Sequence, residues 1–544
     1  MKEYYLINNA SRASQYGIGT YIKQIERILK NKKGIKFAYI DMWTDVKEYS
    51  ISIQEGIRHL QIPHISNRND YQYYRNAAYF LAQHINIKKN IIFHFNYFQA
   101  EVLATHLKEF FVNSKIIFTI HYFDWCFELN GNYSKFQTII NNRITNKSIF
   151  NRFIADKFFL RKFDSIITLS KNTSNILIKE YGISPNKLNL IYNGLDNHFN
   201  VSHKRNHNSA RLVLFVGRLD DVKGAEFIIK SFRYIAKDIQ NIQLALVGDG
   251  NFGKYLPLCE NIRDKVIFTG KVAHDKLESI YQNATIGIQP SFHEQCSYSV
   301  IEMMKYGIPL IVSDSTGLKE MMEKCPENIV HINEQDFNEE DYINQIAKRM
   351  KKLLSDEPYR LQISDKMKEI YTERYTLEKM AESMDKLINI TFSKKQPFIS
   401  EEFLEDLDER MMSLINLRPD IELGFSGLSG IGHYLWWRVH QLKKQTSKES
   451  EYRKLWLEEH IIYFLDWLEA VLIHELNNEE TFHSNDFQDI ETLLIKIKVM
   501  HPTQVGMLLN LIYTQIPPGN NNVPPDKTIV SNAIKLYNTT HWRN

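Results

Sequence analysis

The feature that most constrains this 544-residue chain is a repeated alternation. Short, continuously apolar runs are separated by longer segments with helical apolar spacing. Tyr4–Ile7, Phe37–Ile40, Ile91–Phe95, Ile116–Ile120 and Ser165–Leu169 form a first set of runs, with helical patterns such as Thr20–Leu29 and Tyr71–Ile85 between them. A second set begins at Leu212–Val216 and continues through Gln243–Val247, Lys265–Phe268, Ile286–Pro290 and Leu310–Val312. A strand that is apolar along its whole length is covered on both faces, and strand–helix alternation builds parallel sheets between helix layers. The expected class is therefore α/β, with two Rossmann-like domains over residues 1–200 and 201–392. The polar stretch 199–211, with His203, Lys204, Arg205 and His207, reads as the linker between them.

The texture changes after Ser393-Lys394-Lys395-Gln396-Pro397. Residues 400–544 hold five of the seven tryptophans, Trp436, Trp437, Trp456, Trp467 and Trp542, and their apolar spacing is helical. An α-helical extension is expected there. Lys and Arg together number 67 against 64 for Asp and Glu, a net charge of +3, so nothing in the overall balance demands nucleic acid. Cys126, Cys259, Cys296 and Cys325 lie far apart, which argues against a disulfide framework or a zinc knuckle and fits a reducing cytoplasm. The opening Met1-Lys2-Glu3-Tyr4-Tyr5-Leu6-Ile7 turns polar at Asn8, too soon for a signal peptide. No window approaches the roughly 18 apolar residues of a membrane helix. A cytoplasmic protein is expected, peripheral at a membrane at most.

Chemistry concentrates in Gln289–Glu302. An apolar run ends at Pro290, a polar loop follows, and a helix is expected from about Ser297. Free N–H groups at such a helix start favour a phosphate. Glu302 lies one turn inside, where a carboxylate can accept hydrogen bonds from the vicinal hydroxyls of a ribose. Glu294 sits in the loop and can reach a second polyol. A second loop, Gly217-Arg218-Leu219-Asp220-Asp221-Val222-Lys223-Gly224, follows the first run of the second set. Arg218 offers a planar fork for diphosphate oxygens and Lys223 a point charge. Taken singly, each of these residues also reads as a solvated surface side chain.

Together they resemble glycosyltransferase family 4, retaining enzymes of the GT-B fold, over roughly residues 1–390. The resemblance rests on the E-x7-E pair Glu294 and Glu302, with Gly307-Ile308-Pro309, Gly317 and Glu320 beyond it. It rests also on the Gly-Arg-Leu loop ending at Lys223-Gly224, and on Tyr192-Asn193-Gly194-Leu195-Asp196. It implies two domains facing a cleft, with the helix Leu377–Phe392 crossing back to the first. Arg218 and Lys223 would bind the donor diphosphate, Glu294 the donor sugar and Glu302 the ribose. Gly217 belongs to the cation loop, Asn193 to the third signature, and Ser297, Tyr298, Ser299 and Val300 would supply helix-start amides. In the first domain, Gly17 and Gly19 match a loop lining the cleft, and His121 and Ser170 match strand-end positions. The catalytic set is thus Arg218, Lys223, Glu294 and His121. The implied reaction is transfer from a nucleotide sugar, UDP-linked ahead of GDP-linked, with retention at the anomeric carbon. No cofactor and no metal ion is expected.

Two departures stand out. Cys296-Ser297 replaces a Phe-Gly type pair, which bears on the sugar pocket, and Tyr122 stands where Asp usually follows the histidine. Asp406-Leu407-Asp408 lies in a charged helical stretch and reads as a solvated face rather than a metal motif. The run Gly424-Phe425-Ser426-Gly427-Leu428-Ser429-Gly430-Ile431-Gly432 resembles the glycine motif of lanthionine synthetase C-like proteins, without their zinc cysteines. It suggests a peptide or protein partner for the extension. Acceptors considered are a glycan, a lipid or a peptide. Basic and Phe residues interleave over Arg143–Lys179, a pattern of either a membrane-facing patch or a packed helix. A rival reading of the whole chain is a catalytically silent sugar-nucleotide-binding scaffold.

Overall fold

The computed structural model describes residues 2–9, 17–66, 70–86, 90–98, 101–111, 114–142, 147–161, 163–197 and 210–393. The expected extension, its glycine run and the Asp406–Asp408 pair lie outside the described residues, as does most of the stretch 199–211. The chain divides into two compact units, Met1–Gln137 with Phe163–Ser393, and Thr138–Lys162 with Lys394–Asn544. In the second unit, the helix Lys147–Arg161 buries Phe150, Phe153 and Phe159, and Arg152 pairs with Asp156 one turn on at 3.0 Å. Burial of those rings supports the packed-helix reading of this stretch.

The first unit contains two sheets. One comprises β1 (Lys2–Asn9), β2 (Ile35–Thr44), β3 (Ser50–Gln54), β4 (Ile57–Pro63), β5 (Ile91–Phe95), β6 (Lys115–Ile120), β7 (Ser165–Thr168) and β8 (Leu188–Leu190). Their order is β3-β4-β2-β1-β5-β6-β7-β8. The other comprises β9 (Arg211–Val216), β10 (Ile242–Val247), β11 (Val266–Gly270), β12 (Ala284–Gln289), β13 (Leu310–Ser313) and β14 (Ile329–Val330), in the order β11-β10-β9-β12-β13-β14. All the pairings are parallel except β3–β4. The α/β class with two Rossmann-like sheets is what the alternation of runs implies.

Every residue of β5, β6, β7, β12 and β13 is buried, as expected for strands sandwiched between helices. The covering helices earn their place by spacing. Gly17–Leu29 turns Tyr21, Ile22, Ile25 and Leu29 inward, and Ala225–Ile235 does the same with Ile228, Ile229, Phe232 and Ile235. Beyond the expected runs the sheets gain the short strands β8 and β14 and, as the largest addition, the β3–β4 hairpin. Gln54 pairs with Ile57 across Glu55 and Gly56, both at positive φ (47° and 79°), the geometry of a tight two-residue turn. Its strands are partly exposed, with Ile53 at 76%, so they lack the apolar run that marks the others.

The sequence order of strands reverses direction between β1 and β5 in one sheet and between β9 and β12 in the other. Loops leaving adjacent strands at such a switch point part to opposite faces, and a crevice opens at the carboxyl ends. Arg218 and Glu294 follow β9 and β12, and Gly17 and Asn96 follow β1 and β5. The chain passes between the sheets twice at one place. Leu195 N donates to the Tyr375 carbonyl (2.9 Å) and Leu377 N to the Leu195 carbonyl (2.7 Å). Beyond this crossing the helix Leu377–Ser393 returns to the first sheet, where Thr391 bonds Ser165 (3.0 Å) and Asp385 pairs with Lys32.

Gly248, after β10, stands at φ 147°, and a Cβ there falls 1.8 Å from the Gly217 carbonyl oxygen. Gly56 also has positive φ but nothing within 4 Å of such an atom. Gly248→Ala is therefore expected to cost ~3 kcal/mol or more, since strain and a backbone clash add. Gly56→Ala is expected to cost about 1 kcal/mol of left-handed strain alone. Urea unfolding of both variants checks the difference.

Candidate active site

The loops after β9 and β12 are built as one piece. Phe292 N donates to the Val222 carbonyl (2.7 Å), tying one loop to the other. Asp220 caps the short turn Asp221–Lys223, its carboxylate accepting from Lys223 N (3.1 Å). The Glu294 carbonyl accepts from Gly317 N (2.7 Å) and from the Thr316 hydroxyl, so β13's own loop holds it. Beneath, Tyr342 donates to the Pro290 carbonyl (3.0 Å) and Ser313 to that of Ser291 (2.5 Å).

On this frame the structure brings Lys223 and Glu294 together, with Arg218 on the loop that carries Lys223 and Glu302 on the helix that follows Glu294. Lys223 Nζ lies 2.5 Å from Glu294 Oε1, the two side chains only 16% and 15% exposed. Arg218 pairs with Asp220 at 3.1 Å, more openly, at 39% and 35%. Gly217 N donates to the Val247 carbonyl (2.9 Å), so that glycine closes the strand end. The helix Tyr298–Lys305 begins at Ser297, whose side chain makes no capping bond and instead meets Ser299 (3.1 Å). The first-turn N–H groups of Tyr298, Ser299 and Val300 have no acceptor within the helix, which suits an anion. Glu302, one turn on, accepts from the Tyr281 hydroxyl at 2.5 Å. Tyr281 is buried and stacks on Tyr306 (5.5 Å, 17°), and burial followed by the Glu302 charge raises its pKa, so it stays a donor.

Across the crevice, His121 follows β6. Its Nε2 lies 3.1 Å from Asn96 Oδ1, and its ring meets Tyr21 edge-on at 4.7 Å. Asn96 Nδ2 donates to the Ile7 carbonyl (3.4 Å), so Oδ1 accepts from His121 Nε2–H, leaving Nδ1 as the acceptor atom of the ring. Behind it runs a buried polar chain: Tyr4 to His94 (2.6 Å), His94 to Thr119 (2.7 Å), Tyr21 to Thr119 (2.9 Å). Burial is the main cause that raises the Tyr298 pKa, so its hydroxyl stays protonated.

Gly17 and Gly19 sit in the first turn of Gly17–Leu29, and a Cβ on Gly17 would meet nothing within 4 Å. Asn193 is buried and donates to the Cys296 carbonyl (2.7 Å), fastening the first half to the loop before the helix start. Ser170 is engaged locally, capping the helix Lys171–Lys179 through Thr173 N (3.1 Å). Glu320 takes Lys171 N (2.8 Å) and the Tyr192 hydroxyl, a brace between the halves. Burial pushes the Cys296 thiol up, which favours its protonated form.

Several residues of this site carry no sequence signature. His293 Nε2, both amide atoms of Gln295 and the Tyr298 hydroxyl are buried without a hydrogen-bond partner among the described residues. Buried polar atoms are nearly always paired, so such a cluster marks a place built for a polar ligand or water. Tyr281 could not be singled out because it lies in the helix before β12, far from Glu302 in sequence. Asn96 was reachable, being the first polar residue beyond an apolar strand. A cavity of about 660 Å³ opens alongside, touching Gly224, Phe292, Thr316 and Phe337 but none of the expected site residues. No group of side chains able to hold a metal ion occurs among the described residues.

Comparison with known proteins decides the family. Residues 17–199 match the model described as Glycosyltransferase Family 4, and residues 199–370 that described as Glycosyl transferases group 1. The chain belongs to glycosyltransferase family 4. It is 31% identical over 182 residues to an uncharacterized glycosyltransferase of Methanocaldococcus jannaschii, covering 30% of this chain and 46% of that protein. It is 29% identical over 178 residues to mannosylfructose-phosphate synthase of Agrobacterium fabrum, covering 29% and 39%. The matches thus span less than half the length of these curated relatives. The sucrose-phosphate synthase of Thermosynechococcus elongatus superposes on 72% of this family 4 chain and 100% of its own, with a TM-score of 0.57 at 20% identity. That likeness establishes the GT-B fold.

Burial holds His94 and His293 neutral, each with a pKa lowered to about 3, with His121 and Lys223 respectively adding a smaller push. Unfolded histidine titrates near 6.5. As pH falls below about 6.5 the unfolded chain takes up protons that these folded residues refuse, so stability is lost progressively towards pH 3. The thermal midpoint is expected to fall between pH 7 and pH 5. A midpoint that holds or rises over that range contradicts the buried neutral histidines.

Proposed function

We propose that this chain is a retaining glycosyltransferase that moves a sugar from a nucleotide-sugar donor to an acceptor hydroxyl without a metal ion. One observation supports the reading: the Lys223–Glu294 pair joins the loops after β9 and β12, with Arg218 on the first loop and an open helix start and Glu302 beyond the second. Arg218, Lys223 and the amides of Tyr298–Val300 receive the diphosphate and stabilise the charge that develops as it leaves. They supply the neutralisation for which a divalent ion is otherwise used. Glu302, steadied by Tyr281, accepts from the ribose hydroxyls. Glu294 accepts from the donor sugar. His121, neutral through burial and with Nδ1 as its acceptor atom, faces the sugar from the first half.

Retention follows from attack on the face that the diphosphate leaves, through an oxocarbenium-like state, with the leaving phosphate taking the acceptor's proton. Closure of the crevice excludes water and limits hydrolysis of the donor. The donor is read as UDP-linked ahead of GDP-linked, and the acceptor as a carbohydrate, lipid-linked or peptide hydroxyl. The residues beyond 400 are assigned to acceptor or partner recognition.

A panel of UDP-, GDP- and ADP-sugars, scored by thermal shift and by nucleotide release with and without candidate acceptors, tests the reading. Arg218→Ala is expected to lower release from the selected donor at least about 100-fold with the fold intact, the size of losing one preorganised charge stabiliser. Wild-type turnover in that variant removes its role, and binding without release under every acceptor favours a silent binding protein. Tyr281→Phe keeps the stack on Tyr306 and removes one bond to a carboxylate. It is expected to weaken nucleotide diphosphate binding about ten-fold. It should also shrink the preference for the ribonucleotide over its 2′,3′-dideoxy analogue, a change that simple destabilisation does not produce. Titration calorimetry reads both.

A further inference from the structure

We propose that the Lys223–Glu294 ion pair makes this site discriminate an intact sugar nucleotide from the bare nucleotide diphosphate left after transfer. The inference rests on the donor reading above and adds a function for the pair that neither residue has alone. The charge of Lys223 is answered by Glu294. Lys223 Nζ is 2.5 Å from Glu294 Oε1, and both side chains are about five-sixths withdrawn from solvent. Neither residue can retreat by moving its loop. The Val222–Phe292 bond joins the two loops, Asp220 fixes Lys223 N, and Gly317 and Thr316 fix the Glu294 carbonyl. With the backbone tied on both sides, the two side chains exchange partners in place.

A diphosphate that draws Lys223 to itself strips Glu294 of its cation. A carboxylate so largely withdrawn from solvent is costly to leave without its partner, and here it also faces the added negative charge of the ligand. With the sugar still attached, its hydroxyls donate charge-assisted bonds to Glu294 and replace what Lys223 withdrew. The loaded donor satisfies both members of the pair. The spent diphosphate satisfies only one, and the pair re-forms as it departs. Arg218 shows why the effect is confined to Glu294. Its partner Asp220 is 35% exposed, so water takes over when the guanidinium turns to phosphate. Since product release limits many enzymes of this kind of closing crevice, a carboxylate that penalises the product is a kinetic device as well as a sugar contact.

The test is calorimetric titration of the full chain with UDP, GDP and ADP, and with UDP-glucose, GDP-mannose and ADP-glucose. Glu294→Gln keeps the shape and removes the charge. It is expected to bind the preferred nucleotide diphosphate at least ten-fold more tightly than wild type, and the matching sugar nucleotide no more tightly. Glu294→Ala is a second variant with the same expected sign should the first fold poorly. Arg218→Gln is expected to weaken both ligands alike. Unchanged or weaker diphosphate binding in both Glu294 variants overturns the inference while leaving the donor reading standing. A wild type that binds none of the six ligands overturns the donor reading, and this inference with it.

Discussion

Much of this molecule depends on one backbone bond, from Phe292 N to the Val222 carbonyl. β9 and β12 are neighbours at the point where the strand order turns, and the loops that leave them part to opposite faces. Without a tie, a lysine on one loop and a glutamate on the other, 71 residues apart, share no fixed geometry. The tie, with Gly317 and Thr316 gripping the Glu294 carbonyl, converts two loops into a single rigid lip. Strands buried on both faces anchor the lip, and their continuous apolar runs are why it does not drift.

The charges of that lip answer one another. Each cation has a carboxylate, but the two pairs differ in exposure, and exposure decides what separation costs. In water the cost of parting an ion pair is small, whereas in a half-enclosed crevice it is large. The same low-dielectric surroundings keep His94, His121 and His293 neutral and the Cys296 thiol protonated. Around the lip the charged side chains Lys223, Glu294, Arg218, Asp220 and Glu302 thus sit among neutral hydrogen-bonding groups.

The halves are held together as much by backbone as by side chains. The double crossing at Leu195 and Thr376, the brace from Glu320 to Lys171 N and Tyr192, and Asn193 on the Cys296 carbonyl all join segments remote in sequence.

Elements buried on both faces were legible in the sequence because continuous apolarity is a local property. Each apolar run corresponds to a strand, and the Glu294, Glu302, Arg218 and Lys223 motif lies where the switch-point rule puts a ligand. The β3–β4 hairpin escaped because its exposed residues carry no such run, and its Glu55-Gly56 turn is a weak signal alone. By itself the sequence determined which segments become strands and helices, and which chemical groups stand at their ends, since periodicity and residue type act over a few residues. Only tertiary structure decided that Lys223 meets Glu294, that Tyr281 holds Glu302, that Asn96 sets the tautomer of His121, and that Ser170 is spent on a helix cap. Those outcomes depend on distances between groups tens of residues apart, and such distances exist only once the two sheets have packed.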